Sequence, residues 1–276
     1  GAGLPHQYDG ELNSMLFNKK YKGLNVLQGN NIGKELSSDI KGFSAGSILT
    51  KLGRSPINNL LSLGKVGNPP IGKPHYLFND AVAIQANNLF NLPSKWQIVS
   101  NLQGAFDKSS RNFSGETRYF SEEANYSFDE RQESKVRQWV GSISLKATKN
   151  EDHIYVENAF SLEYENDLSS AAISTNNSLY ALSRRHHILG FKNALNYVPV
   201  LKNGNILQLS WLMNYGAKPQ QLEIEPGVFM DYLNDSIPYA RSIQHVNVPS
   251  FYTNINAGYR LPKGIISQYY GLSATV

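Results

Sequence analysis

Along much of the chain apolar and polar residues alternate with a period of two, which is the pattern of a β-strand whose two faces meet different surroundings. Over residues 206–216, Leu207, Leu209, Trp211, Met213 and Tyr215 fall on one side, against Gln208, Ser210, Leu212 and Asn214 on the other. Likewise Trp96, Ile98, Leu102 and Phe106 oppose Gln97, Asn101 and Gln103, and Ile154, Val156, Phe160, Leu162 and Tyr164 oppose Tyr155, Glu157, Ser161, Glu163 and Glu165. Such an apolar face needs something oily against it, either a protein core or the hydrocarbon of a membrane.

The same pattern predicts strands over 10–18, 22–29, 76–90, 96–106, 137–147, 153–165, 180–197, 205–216, 248–260 and 265–276. The connections between them alternate in length. Those near 18–22, 92–95, 148–152, 198–204 and 261–264 are short, and the Asn203-Gly204 pair suits a tight turn. Those near 30–75, 107–136, 166–179 and 217–241 are long and polar, with short helical turns expected around 35–52 and 57–62. The prediction is an all-β chain: an antiparallel up-and-down meander of about ten strands, tight turns on one rim and long loops on the other, forming part of a transmembrane β-barrel. Residues 1–29 are the first hairpin, 30–75 a long outer loop, and 76–276 a meander of about eight strands.

Placement of the aromatics points the same way. Trp96, Phe106, Trp139, Tyr164, Tyr197, Tyr215, Phe251 and Tyr259 cluster toward the ends of the apolar stripes, where the two aromatic girdles of a membrane barrel belong. Aromatics also fill soluble β cores, so a soluble extracellular β-sandwich that binds ligand or acts as an adhesin-like module is the alternative. Composition narrows the field further. With 16 Tyr, 12 Phe and 3 Trp the chain is aromatic-rich and ordered. Its 26 basic and 22 acidic residues leave a net charge of +4, dispersed rather than striped, which argues against a nucleic-acid partner. There is no cysteine, hence no disulfide or thiol chemistry. No run reaches the ~18 apolar residues of a membrane-spanning helix, and the opening ten residues lack the basic start and apolar stretch of a signal peptide. The last segment still alternates at Val276, so a piece of a longer protein is expected.

Two segments carry a family resemblance. ELNSMLFNKKYKGLNVLQGNNIGKELSSDI (11–40) and HYLFNDAVAIQANNLFNLPSKWQIVSNLQGAFDKSSRNFSGETRYF (75–120) resemble the barrel region of TonB-dependent outer-membrane receptors. They are most similar to the Bacteroidetes-type receptors, which carry a carboxypeptidase-like regulatory domain ahead of the plug. The aromatic MLFNKKY strand, GNNIGKEL opening a long loop, and YLFNDAVAIQANNLF as the returning strand carry the likeness, which is good over about 1–165 and one of style beyond. It implies a location in the cell outer membrane and a barrel of about 22 strands around a plug. It also implies energisation through TonB by way of an N-terminal region, and uptake of a nutrient such as a glycan, peptide or siderophore-like ligand. The implied partners are outer-membrane lipid, the plug and remaining barrel, TonB, and in some systems a surface lipoprotein. This sequence shows no plug, no TonB-contacting segment and no final strand ending in Phe or Tyr.

Candidate chemistry is thin. Glu157, Glu163 and Glu165 share one strand face, a spacing that strands produce routinely, so a solvated face is expected rather than a carboxylate pair for hydrolysis. His186 and His187 point to opposite sides, no carboxylate stands at ligand spacing along the sequence, and SRRHH (183–187) reads as a polar rim at the base of a loop. No nucleophile elbow, phosphate loop or zinc-protease motif is present, so neither an enzyme, nor a cofactor, nor a metal is predicted. For ligand binding the candidates are Tyr119, Phe120, Tyr126, Phe128 and Arg131 in the polar 107–136 segment, since exposed rings beside polar groups suit sugars and peptides. Asp235-Ser236-Ile237 resembles a short O-glycosylation motif of Bacteroidetes envelope proteins.

Overall fold

A computed structural model describes residues 2–3, 6–36, 60–64, 71–72, 75–120, 125–176, 178–261 and 268–276. The chain is all-β and antiparallel. Its strands are β1 (Ala2–Gly3), β2 (Gln7–Phe17), β3 (Tyr21–Asn30), β4 (Phe78–Asn91), β5 (Trp96–Phe120), β6 (Asn125–Glu151) and β7 (Ile154–Thr175). They continue as β8 (Ser178–Pro199), β9 (Ile206–Ala217), β10 (Gln220–Glu225), β11 (Ser242–Val246), β12 (Ser250–Leu261) and β13 (Gln268–Thr275). All join one sheet, each strand beside its sequence neighbour except that β9 pairs with β12 while β10 and β11 pair with each other. The sheet is open, since no pairing among the described residues joins β13 to β1 or β2. One short helix, α1 (Met230–Leu233), lies between β10 and β11, and no described helix is long and apolar enough to cross a membrane.

Two of the breaks are nominal. Ala217 faces Leu189 and Gln220 faces His186, so β9 and β10 keep one register against β8 across Lys218-Pro219. Gly216 faces Ser250 and Gln220 faces Val246, so β11 and β12 likewise form one strand across 247–249. Pro219 and Pro249 lack the N–H that the ladder uses, which ends the hydrogen-bonded element without shifting it. Counted as passes across the sheet, the strands number about ten, as the periodicity predicts.

The tight turns are built from local chemistry. Asn18 Oδ1 accepts from Lys20 N (2.9 Å) and Tyr21 N (2.7 Å), closing the β2–β3 turn. Pro93 opens a single 3-10 turn between β4 and β5 in which Ser94 and Lys95 take φ of +63° and +59°. Asp152-His153 join β6 to β7, and Asn203-Gly204 the β8–β9 turn, with Gly204 at φ +81°. The fifth short connection, 262–267, lies outside the described residues, as does most of the sequence in which helical turns are expected around 35–52 and 57–62.

On the opposite rim the expected long loops become something else. β5 and β6 stay paired without interruption to Phe120 opposite Asn125, and β7 and β8 to Thr175 opposite Ser178, so 107–120, 125–136, 166–175 and 178–179 are strand and not loop. Residues 217–241 contain β10 and α1. The reason is physical: where both faces of a ribbon meet water, apolar alternation vanishes, while backbone pairing needs no apolar face to continue.

The register brings the apolar stripes together. Tyr215, Phe191, Leu162, Ile143 and Leu102 stand side by side on five successive strands, with Phe251 completing the row on β12. This outer face carries most of the exposed large apolar side chains of the strands, among them Leu102, Trp139, Ile143, Tyr164, Leu189, Trp211 and Ile255. Aromatic pairs lie along it: Phe106 and Trp139 at 4.3 Å at one end, Tyr21 and Phe90 at 5.1 Å near the other, and Phe191 and Tyr215 at 5.6 Å in the Leu102–Ile143 row between them. Beyond Phe106 and Trp139 the same face turns mostly polar, with Phe78 on β4, Leu168 on β7 and Ile243 on β11 as exposed apolar exceptions. It continues as Lys108, Ser110 and Asn112 on β5, Arg137, Lys135 and Glu133 on β6, and Gln221 and Glu223 on β10. The indole N–H of Trp211, in mid-stripe, donates to Thr253 Oγ1 at 3.0 Å, and that hydroxyl donates on to the Leu212 carbonyl at 3.2 Å, so neither polar group needs water.

Candidate functional site: a buried polar row

The inner face is the reverse of the outer one. Gln220, His186, Asp167, Gln138, Asp107, Ala81 and Asn30 stand in one cross-strand row over seven strands, and every one of them is buried. The row lies level with the Phe106–Trp139 end of the apolar stripe, since Asp107 and Gln138 are the chain neighbours of that ring pair. Buried polar groups are stable only when partnered, and here they partner one another and the segment laid across them.

That covering segment is the described part of the 30–75 excursion. Leu36 packs on Ala81, Ala83, Ala105 and Val140 of the inner face, all small enough to let the chain approach. Asn79 Oδ1 accepts from Gly33 N at 2.8 Å, and Asn79 Nδ2 donates to the Lys34 carbonyl at 3.0 Å. Five strands away, Gln220 Oε1 accepts from both Leu60 N (3.0 Å) and Leu61 N (3.1 Å). The described parts of the predicted outer loop therefore rest on the inner face instead of projecting from the rim.

At the centre of the row His186 Nε2 lies 3.1 Å from Glu165 Oε1, which also accepts from Gln138 Nε2 at 3.0 Å. Arg184 pairs with Asp167 at 3.1 Å, donates to Ser169 Oγ at 3.3 Å, and reaches the Leu61 carbonyl at 3.5 Å. Ser169 donates to the other oxygen of Asp167. His186 is 3 % exposed, so it is an interior residue and not the polar rim that SRRHH predicts. A carboxylate does stand by it: Asp167 is directly opposite in the β7–β8 register, and Glu165, Asp167 and His186 offer one ligand atom each within 4.8 Å. The arrangement nonetheless works as a hydrogen-bonded network, because the Arg184 guanidinium already neutralises Asp167 and would repel a cation placed there. Among the described residues, Arg184 Nε and His186 Nδ1 here, and Gln220 Nε2 elsewhere in the row, are among the buried atoms with no hydrogen-bond partner. Glu157, predicted to be solvated, pairs with Lys146 at 2.8 Å and accepts the Tyr155 hydroxyl at 2.7 Å.

The five ligand-binding candidates are divided by the fold. Positions 119, 126 and 128 share the inner face of the projecting β5–β6 hairpin, with Tyr119 opposite Tyr126 and Thr117 opposite Phe128. Phe120 and Arg131 belong to the other face. Tyr119 and Phe120 are exposed at the tip, whereas Arg131 lines a cleft of about 640 Å³ with Ser114, Glu116, Asp129, Ser174 and Asn176. In this cleft the neighbouring Arg118 guanidinium holds the Glu116 carboxyl below the usual carboxylate range. Asp235-Ser236-Ile237 lies in an exposed turn after α1, where the Ser236 hydroxyl donates to Asp231 at 2.8 Å.

Sequence reasoning does not find the buried row, because its members are separated by tens of residues and meet only through pairing. Gln220 supplies a direct test of the covering contact. Gln220→Leu is expected to leave the buried Leu61 N–H without an acceptor, at about 1–3 kcal/mol, and to free the part-buried Leu60 N–H to water. It should accelerate hydrogen exchange at the Leu61 amide by about ten- to a hundredfold, with a smaller rise at Leu60. Unchanged exchange at both amides would remove Gln220 as the anchor of this segment.

No protein-family description, curated protein or solved structure matches this chain.

Proposed function

We propose that this chain forms part of the wall of an outer-membrane β-barrel, of the TonB-dependent receptor type, that takes up a nutrient too large for simple pores. The observation that carries the membrane half of this reading is the switch on the outer face. Across β5 to β12 an apolar stripe bounded by rings gives way to mostly polar and charged side chains, Leu168 and Ile243 excepted, while the strand register continues. A soluble sheet covered by another layer has no cause to switch most strands at one height, whereas a bilayer imposes that boundary physically. Trp96 to Phe106 spans ten residues, which at about 3.3 Å per residue and a tilt near 45° covers roughly 23 Å of membrane normal, the height of a barrel's apolar band. The transport half rests on the resemblance of 11–40 and 75–120 to receptor barrels. It is supported by the inward-lying residues 31–36 and 60–61, which would narrow the passage, and by polar hairpins long enough to meet ligand outside.

Trp211 tests the membrane half. It lies four residues from Tyr215 and four from Leu207, where Tyr259 stands opposite, so it should sit within the hydrocarbon, about 9 Å from Tyr215 along the membrane normal. With Trp96 and Trp139 replaced by Phe, acyl-chain bromine is expected to quench most of the remaining emission of the reconstituted protein. Full emission from Trp211 in an inserted sample would overturn the lipid-facing assignment and favour the soluble ligand-binding alternative.

A further inference from the structure

The outer face carries an arrangement of cations that neither the network nor the transport reading uses. Directly beyond the Phe106–Trp139 ring pair, Lys108 on β5 stands opposite Arg137 on β6, and Arg137 stands opposite Leu168, which stands opposite Arg185 on β8. Lys135 is the next outward residue on β6 and reaches Lys108 diagonally. All four side chains are exposed, and none has an ion pair or hydrogen bond among the described residues. Like charges directly opposite on neighbouring strands repel, so this grouping weakens the sheet unless an anion lies between them.

The acidic groups nearby offset these cations only in part. Asp80, opposite Lys108, accepts the neutral Tyr8 hydroxyl and keeps its charge for Lys108, whereas Glu223, in the Lys135 row, pairs with Arg241 at 3.0 Å and none stands opposite Arg137 or Arg185. Glu133 lies one further step outward.

Resting on the membrane reading above, we infer that Lys108, Lys135, Arg137 and Arg185 form a binding belt for phosphorylated headgroups of the lipid leaflet that meets the Phe106–Trp139 girdle. The belt's height matches headgroups and not solvent: one residue pair past an aromatic girdle is where long basic side chains rise from hydrocarbon to the interface. Its chemistry also fits. A phosphate bridging adjacent strands can take the Lys108 ammonium as a point charge and the Arg137 guanidinium as a two-pronged donor. Arg185, two strands from Arg137 and so about 10 Å away, can engage a second phosphate of the same headgroup.

The test uses the full chain in mixed micelles, comparing wild type with K108S/K135S/R137S/R185S for binding of bisphosphorylated lipid A, with phosphatidylcholine as the uncharged control. Each basic side chain at such a surface is worth on the order of fivefold in affinity, so the fourfold variant is expected to bind lipid A a few hundredfold more weakly, with phosphatidylcholine unaffected. Glucosamine phosphate without acyl chains is expected not to displace the lipid. Trp211 quenching in brominated lipid is read in parallel on both proteins. Equal lipid A binding with Trp211 quenched in both would overturn the belt and leave the barrel standing. Displacement by the free sugar phosphate would reassign the site to a soluble ligand. Unquenched Trp211 would overturn the membrane reading and the belt together.

Discussion

Ile143→Arg is expected to destabilise the bilayer-inserted protein by about 2–4 kcal/mol, while Ser144→Arg, the next residue along, should change it by less than about 1 kcal/mol. Ile143 lies on the outer face four residues from Trp139, near the centre of the apolar stripe, with Leu102 and Leu162 on either side. An arginine there must thin the bilayer or reach for the interface, and either costs free energy. Ser144 faces inward between Asn101 and Ser161, where a guanidinium meets polar neighbours and water. Folding titrations into lipid vesicles with denaturant would measure both. Equal costs at the two positions would contradict the assignment of outer and inner faces. The contrast has force because a shift of one residue in strand register exchanges the faces of a whole strand.

The second large effect belongs to the inner face. Arg184→Ala is expected to cost about 3–5 kcal/mol, because it leaves the Asp167 carboxylate, 5 % exposed, buried with only the Ser169 hydroxyl in place of its ion pair. Replacing both partners, as Arg184→Met with Asp167→Leu, should recover most of that loss, since apolar groups of similar volume carry no charge to desolvate. A double-mutant cycle read by chemical denaturation separates the two contributions. If Arg184→Ala were as mild as an exposed substitution, under about 1 kcal/mol, the buried row would not be the structural tie between sheet and covering segment that the geometry describes. Because Arg184 also reaches the Leu61 carbonyl, the same variant should loosen residues 60–64, which hydrogen exchange would detect.

Inside the apolar band, strands could be read from the sequence nearly residue by residue. Leu207, Leu209, Trp211, Met213 and Tyr215 form a common stripe, and the Asn18 and Asn203 turns close where the residue types predict. Outside the band the reading failed in one direction. Residues 107–136 and 166–179 read as loops because Lys, Ser, Asn and Glu occupy both faces, yet 107–120, 125–136, 166–175 and 178–179 are strands whose pairing is continuous with the band. Periodicity reports a difference between two environments, and there both environments are water. Alternation on a strand, invisible when the segment is taken for a loop, puts Tyr119 and Phe128 on one face and Phe120 and Arg131 on the other.

The chain's own order of residues determined the class, all-β and antiparallel, the tight-turn rim, the number of passes, and which side of each central strand is apolar. These follow from period, turn chemistry and side-chain size, which act between near neighbours. Tertiary structure alone decided which residues of different strands meet. It set His186 beside Asp167 and Glu165, laid Leu36 and the 60–64 segment on the inner face, and put Lys108 opposite Arg137 beyond the ring girdle. Each of these depends on strand register and on the return of a long segment across the sheet. Many distant backbone hydrogen bonds fix them jointly, and no local pattern encodes them.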